Sequence, residues 1–271
     1  MMVKLTYGEQ AQHWAESREP NIKAFEAFMK GHDCFNRQNK EDNAQARAYY
    51  QKSLVIDPSV ITHVMIGFTH LIDLMYGWSE SQIESFAEAD KCSAAAYELN
   101  QQIDLVRVLL GWIYLYKGKH SEAVEEGKKA TKLNPNGAEV HAHLGMFHAY
   151  NGNPNEAIRL IKMALRLNPS PPIYYYEMLG ASYVGTQQYE EAISVLERSI
   201  KLNPNGLPAF VSLAICHASM NQIDQALKTV GEILRLDPDY KSTQFAMTMP
   251  YKDKAQLDRY VDALRKAGLP D

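Results

Sequence analysis

The 271-residue chain is short of several things, and each shortage closes off a class of protein. It has three cysteines, Cys34, Cys92 and Cys216, an odd number spread far apart. A disulfide framework needs paired cysteines, so these are expected to be reduced thiols in a cytoplasmic setting. Positive charge is not in excess: 28 Lys and Arg stand against 32 Asp and Glu, a formal net charge of −4. Nucleic-acid binding needs a basic stripe to neutralise phosphates, so no nucleic-acid partner is expected. No apolar run is long enough for a transmembrane helix or a secretory leader, so no membrane partner is expected either.

Catalytic motifs are missing too. The chain has no phosphate loop, no dinucleotide glycine fingerprint, no His-Glu-x-x-His and no Cys-x-x-Cys. Gly180-Ala181-Ser182-Tyr183-Val184 lacks the second glycine of a nucleophile elbow. Cys216 and His217 are neighbours, but adjacent helical residues point about 100° apart and form no dyad by themselves. His141 and His148, like His63 and His70, are seven apart and could place two imidazoles on one helix face. Two ligands leave a zinc site incomplete. These histidines also share register slots with Tyr114, Tyr176, Tyr183 and Phe210, which are packing slots for flat side chains. The expectation is a protein with no catalytic residue, no metal site and no cofactor.

What is present is a repeat. Gly111, Gly145, Gly180 and Ala214 form one series; Ala123, Ala157, Ala192 and Ala226 form a second, twelve residues later. Pro135, Pro169, Pro204 and Pro238 follow after twelve more, and each series steps by 34, 35 and 34 residues. Small residues let paired helices approach, and Pro after Leu-Asn or Leu-Asp stops the second one. A period near 34 marks stacked helical hairpins, none of which can bury its apolar face alone.

With Leu110-Gly111, Tyr114, Leu144-Gly145, Leu179-Gly180 and Tyr183 at matching places, these units resemble the tetratricopeptide (TPR) repeat. Two looser units precede them. In the first, Gly31 and Ala46 are fifteen residues apart, and a longer polar turn over residues 36–42 is expected to absorb the surplus. In the second, Gly67 and Ala89 are twenty-two apart, so about ten extra residues surround Tyr76–Ser81. An elongated hairpin and a projecting functional loop are both open readings.

The resemblance implies an all-α, right-handed superhelical solenoid of about six TPR hairpins. Units are expected at residues 24–58, 60–101, 104–135, 138–169, 173–204 and 207–238. An N-terminal helix or linker (1–23) precedes them, its helix opening at Thr6-Tyr7-Gly8-Glu9. A capping segment (241–271) follows, whose stripe Leu257, Tyr260, Val261 and Leu264 is expected to cover the last hairpin.

In TPR proteins the first helix of each hairpin lines a concave groove. Carried onto this chain, the peptide-binding residues are Phe28, His32, Phe35, Val64, Phe68, Leu71, Val108, Trp112, Leu115, Tyr116, Met146, Tyr150, Tyr174 and Glu177. No Lys or Arg stands at the mapped positions, so a basic clamp for a peptide carboxylate is not expected. The resemblance implies a non-enzymatic interaction module that takes an apolar or amphipathic peptide.

A narrower resemblance runs through Lys40-Glu41-Asp42-Asn43-Ala44, Tyr76-Gly77-Trp78-Ser79, Met249-Pro250-Tyr251-Lys252-Asp253 and Leu264–Pro270. These look like the TPR regions of bacterial class III adenylate or guanylate cyclase-like and winged-helix multidomain regulators. It implies an alternative: a regulatory region in signalling or transcription, contacting a domain of its own protein or a second copy of itself.

Overall fold

The computed structural model describes residues 21–271, so the helix expected near residues 6–16 lies outside the described residues. Fourteen helices and no strands are found among them. Twelve form six antiparallel hairpins: α1 (Ile22–Phe35) with α2 (Lys40–Ile56), α3 (Val60–Tyr76) with α4 (Gln82–Leu99), and α5 (Asp104–Tyr116) with α6 (His120–Leu133). Then come α7 (Ala138–Tyr150) with α8 (Pro154–Leu167), α9 (Tyr174–Gly185) with α10 (Tyr189–Leu202), and α11 (Leu207–Ser219) with α12 (Ile223–Leu236). Two more helices close the chain, α13 (Ser242–Thr248) and α14 (Lys254–Lys266). Each second helix packs on its own first helix and on the next one, and from α3 onward successive first helices also touch. This is a helical-hairpin solenoid.

The repeat markers do the work expected of small residues. Ala123, Ala157, Ala192 and Ala226 are fully buried. A Cβ on Gly180 would lie 2.5 Å from Leu196 Cδ2, and one on Gly145 would lie 2.7 Å from Ile161 Cγ1. The second helices α6, α8, α10 and α12 end at Asn134, Asn168, Asn203 and Asp237. The last three of these are extended, and each of the four precedes a proline, which disfavours the helical conformation at the residue before it.

The two looser units are longer mainly in their helices, with one or two residues more in their loops. Asn39 caps α2 by accepting from the Asp42 amide at 2.9 Å, so Lys40–Asp42 open that helix instead of extending the turn. The surplus expected in the polar turn is therefore mainly helical. The same holds around Tyr76–Ser81: α3 has 17 residues and α4 has 18, against 13 and 14 in α5 and α6. Gly77 ends α3 in the left-handed region (φ 67°), and Ser81 caps α4. A buried polar cluster fastens this hairpin to the first. Asn43 donates to Thr69 O (2.9 Å) and Asp73 Oδ1 (2.7 Å), and Arg47 pairs with Asp73.

The C-terminal segment packs on the last hairpin mainly from its inner side. The stripe Leu257, Tyr260, Val261 and Leu264 is buried, but α14 packs on α11, the inner helix of the last hairpin. Leu227 on the outer helix α12 stays 53% exposed. The tail does not simply cover the end of the stack. It folds inward, and α13 reaches as far as α3.

Candidate functional site

The first helices present their C-terminal ends side by side, and residues 244–252 run across them in the order of the hairpins. Gln244 Nε2 donates to Tyr76 O at the end of α3 (3.1 Å). The Tyr116 hydroxyl, at the end of α5, donates to Thr248 O (3.3 Å). His120 Nε2, opening α6, lies 2.8 Å from Pro250 O. Lys252 N donates to Tyr150 O at the end of α7 (3.0 Å), and its Nζ to Asn151 Oδ1 (3.0 Å). Tyr251 sets its ring edge-on to Tyr150, with centroids 4.9 Å apart, and Tyr150 donates to Met249 Sδ at 3.7 Å. Tyr251 also meets Tyr260 of α14 at 5.4 Å.

His120 faces two carbonyls, Gly118 O through Nδ1 (3.0 Å) and Pro250 O through Nε2. A neutral imidazole has one N–H and can donate to only one of them. Burial pushes the Tyr116 phenol well above its usual range, so it stays a neutral donor to Thr248 O.

Deeper in the concavity lies an aromatic and polar cluster drawn from four hairpins. Phe68 of α3 stacks on His143 of α7 at 5.8 Å. Trp112 of α5 donates Nε1–H to His143 Nδ1 (3.0 Å), which leaves the proton on Nε2 to bond Glu139 Oε1 (3.1 Å). Tyr174 and Tyr175 of α9 donate to the same carboxylate, Tyr175 at 2.9 Å. Burial pushes the Glu139 carboxyl up, but the bonds from His143, Tyr174 and Tyr175 outweigh it and hold it below its usual value.

Of the fourteen residues mapped to the groove, nine are buried: Phe28, Val64, Leu71, Val108, Trp112, Leu115, Met146, Tyr150 and Glu177. Phe28 packs on Tyr50 and Glu177 meets Ser199 within their own hairpins, Trp112 packs on α7 of the next hairpin, and Tyr150 lies under the C-terminal segment. His32, Phe35, Phe68, Tyr116 and Tyr174 are partly exposed. Trp112, at 2% exposure against His143, Phe147 and Tyr150, is a core residue and not a free anchor. Two of the fourteen, Tyr116 and Tyr150, bond the chain's own segment 244–252. The mapping passed over His120, Met249 and Tyr251, which lie outside the first helices. It also passed over His143, and Glu139, though it stands at a mapped position, was not among the fourteen.

The other candidate groups are quiet. Burial pushes the Cys92 thiol up to about 11 and the Cys216 thiol up to about 12, far from the thiolate of a reactive cysteine. His141 bonds Pro135 O (2.9 Å) and His217 bonds Gln222 Oε1 (2.7 Å). Among the described residues no group of three or more His, Cys, Asp or Glu could hold a metal ion, and no helix is long and apolar enough to cross a membrane.

Family models described as tetratricopeptide repeat match residues 108–172 and 183–247. Among solved structures, one chain of the APC/C hetero-tetramer Cut9–Hcn1 is 18% identical with a TM-score of 0.60. The match covers 92% of this chain, which spans about half of that one (47%). TTC0263, a thermophilic TPR protein in Thermus thermophilus, is 19% identical with a TM-score of 0.56, over 76% of this chain and 100% of that one. PilW, described as a widely conserved type IV pilus biogenesis factor, is 18% identical with a TM-score of 0.54, over 76% and 89% of the two chains. At such identities the likeness concerns the fold alone. No curated protein matches the chain. The family matches and the fold together support a TPR repeat protein.

Proposed function

We propose that the chain is a non-enzymatic protein-interaction module that takes a short protein segment across the inner ends of its first helices. One observation carries this reading. The surface holds a polypeptide in the structure itself, with Tyr116 donating to Thr248 O, His120 set against Pro250 O and Tyr150 O accepting from Lys252 N. Such main-chain bonding, with an aromatic contact for selectivity, is how peptide-binding grooves combine affinity with choice. The TPR fold supports a protein or peptide partner. Thiols held protonated by burial suit a scaffold better than a thiol enzyme, and three free cysteines suit a reducing, cytoplasmic setting.

The test is selection of a displayed random peptide library on the immobilised intact chain. Selected peptides should lose at least about tenfold in affinity to a Tyr116→Phe, His120→Ala double variant, the size expected when a few anchors dominate. Peptides that bind this variant equally well would contradict the assignment.

A further inference from the structure

We infer that residues 244–252 are an internal ligand that a partner displaces, and that the partner segment is nearly uncharged and joins a short helix to a methionine–proline–aromatic run. This rests on the reading above and adds to it the identity of the competitor and the chemistry of the partner.

The contacts divide into two kinds. The bonds to Thr248 O, Pro250 O and Lys252 N read only main chain, which any peptide offers. Selectivity lies in side chains: the Tyr251 ring fits between Tyr150 and Tyr260, and the Met249 sulfur receives the Tyr150 hydroxyl. Pro250 sits between them and brings no amide that would need a partner. A foreign segment with the same run can repeat every contact except those made by α14.

Three residues of the segment, Phe245, Thr248 and Tyr251, are buried, and the other six are half-buried or exposed. Helix α13 has seven residues and no side-chain bond at its N-cap, and so short a helix does not persist alone. Met247 is 71% exposed and Lys252 is exposed. The flanks are held firmly. Tyr240 is buried, α14 packs on α11, and Ser242 bonds Pro270 O (2.8 Å) and Asp271 Oδ1 (2.7 Å). Release of 244–252 takes the Phe245 and Tyr251 rings away from Tyr260 of α14 but leaves the seat of α14 on α11 and the six hairpins. Tethering at both ends gives the segment a local concentration near the millimolar range, so it weakens every competing ligand until it is loosened.

The experiment titrates a fluorescent peptide of residues 244–253 (Gln-Phe-Ala-Met-Thr-Met-Pro-Tyr-Lys-Asp) into the intact chain and into Tyr251→Ala. The peptide should bind Tyr251→Ala at least about tenfold tighter than the intact chain, with helicity retained. Adding Tyr116→Phe and His120→Ala should remove that gain. Should Tyr251→Ala fail to fold, Met249→Ala, which removes only the sulfur contact, should show the same gain at several-fold. Equal or absent binding to a folded loosened variant overturns the inference. Association of two copies without peptide binding assigns the surface to a second chain and overturns it as well. If library-selected peptides bind intact and loosened chains alike, the interaction module stands and the internal ligand falls. If no peptide binds either, both fall.

Discussion

Replacing Glu177 by Gln should make the protein more stable at pH 8, and much less so at pH 5. Glu177 opens α9 and is 7% exposed, with the Ser199 hydroxyl 3.4 Å from Oε1 as its hydrogen-bond donor. Burial pushes its carboxyl from an ordinary 4.5 up to about 7, and the Ser199 bond only partly pulls it back. An acid whose folded value is raised contributes stability that is complete below the unfolded value and is lost as pH rises through the folded one. Linkage then makes the raised Glu177 carboxyl cost about 3 kcal/mol at pH 8, where it is ionised, and about 1 kcal/mol at pH 5, where folding protonates it. Gln keeps the shape and the contact to Ser199 without the charge. Denaturant midpoints of the two chains should therefore diverge by about 2 kcal/mol between pH 5 and pH 8. The comparison cancels every other titrating group. Parallel pH profiles for the two chains would refute the reasoning and show that water or a cation reaches the carboxylate.

Three further outcomes follow from the packing. Trp112→Ala removes a buried ring that touches His143, Phe147 and Tyr150, so calorimetry should show a loss of about 3–5 kcal/mol; a variant with unchanged melting would return Trp112 to the groove. Gly180→Ala should destabilise by about 1–2 kcal/mol, although Ala is the better helix former by about 1 kcal/mol, because its Cβ meets the buried Leu196; a gain in urea midpoint would contradict the close approach. Burial lowers the pKa of His63 and His148, and it takes His70 to about 4, with Arg47 adding to the effect there. Their contribution is complete above the unfolded value near 6.5 and is lost as pH falls through the lowered folded values. For half-buried His70 this is about 1 kcal/mol at pH 5 once solvent screening is allowed for, and His70→Gln should flatten that part of the profile.

The regular units were legible because a helix-packing constraint leaves a local, periodic mark. Gly145 must be small because Ile161 lies against it, and that need returns at every hairpin. The looser units were harder because the number of inserted residues does not say whether they lengthen a turn or a helix. The answer lay in capping residues, Asn39 before Lys40 and Ser81 before Gln82, whose side chains accept the first free amides. The groove was legible as a set of positions but not as a surface. Whether Val64 or Trp112 faces solvent depends on how far the superhelix closes, which no single unit reveals. The segment across it was least legible. Tyr251 meets Tyr150 from far along the chain, and Met249-Pro250-Tyr251 carries no periodic mark of its partner. The Glu139–His143 pair was half visible: its spacing is local, but Trp112 and Tyr174 arrive from neighbouring hairpins.

Hydrogen–deuterium exchange of residues 244–252, followed with and without a peptide that binds the chain, tests the central claim most directly. In the free chain the Lys252 amide, bonded to Tyr150 O at 3.0 Å, should exchange slowly. On peptide binding it should exchange faster in proportion to the fraction of chain bound, while α14 and the six hairpins stay protected. An amide that exchanges at the coil rate in the free chain would contradict the occupied groove. A bound peptide that leaves it protected would place the binding surface elsewhere.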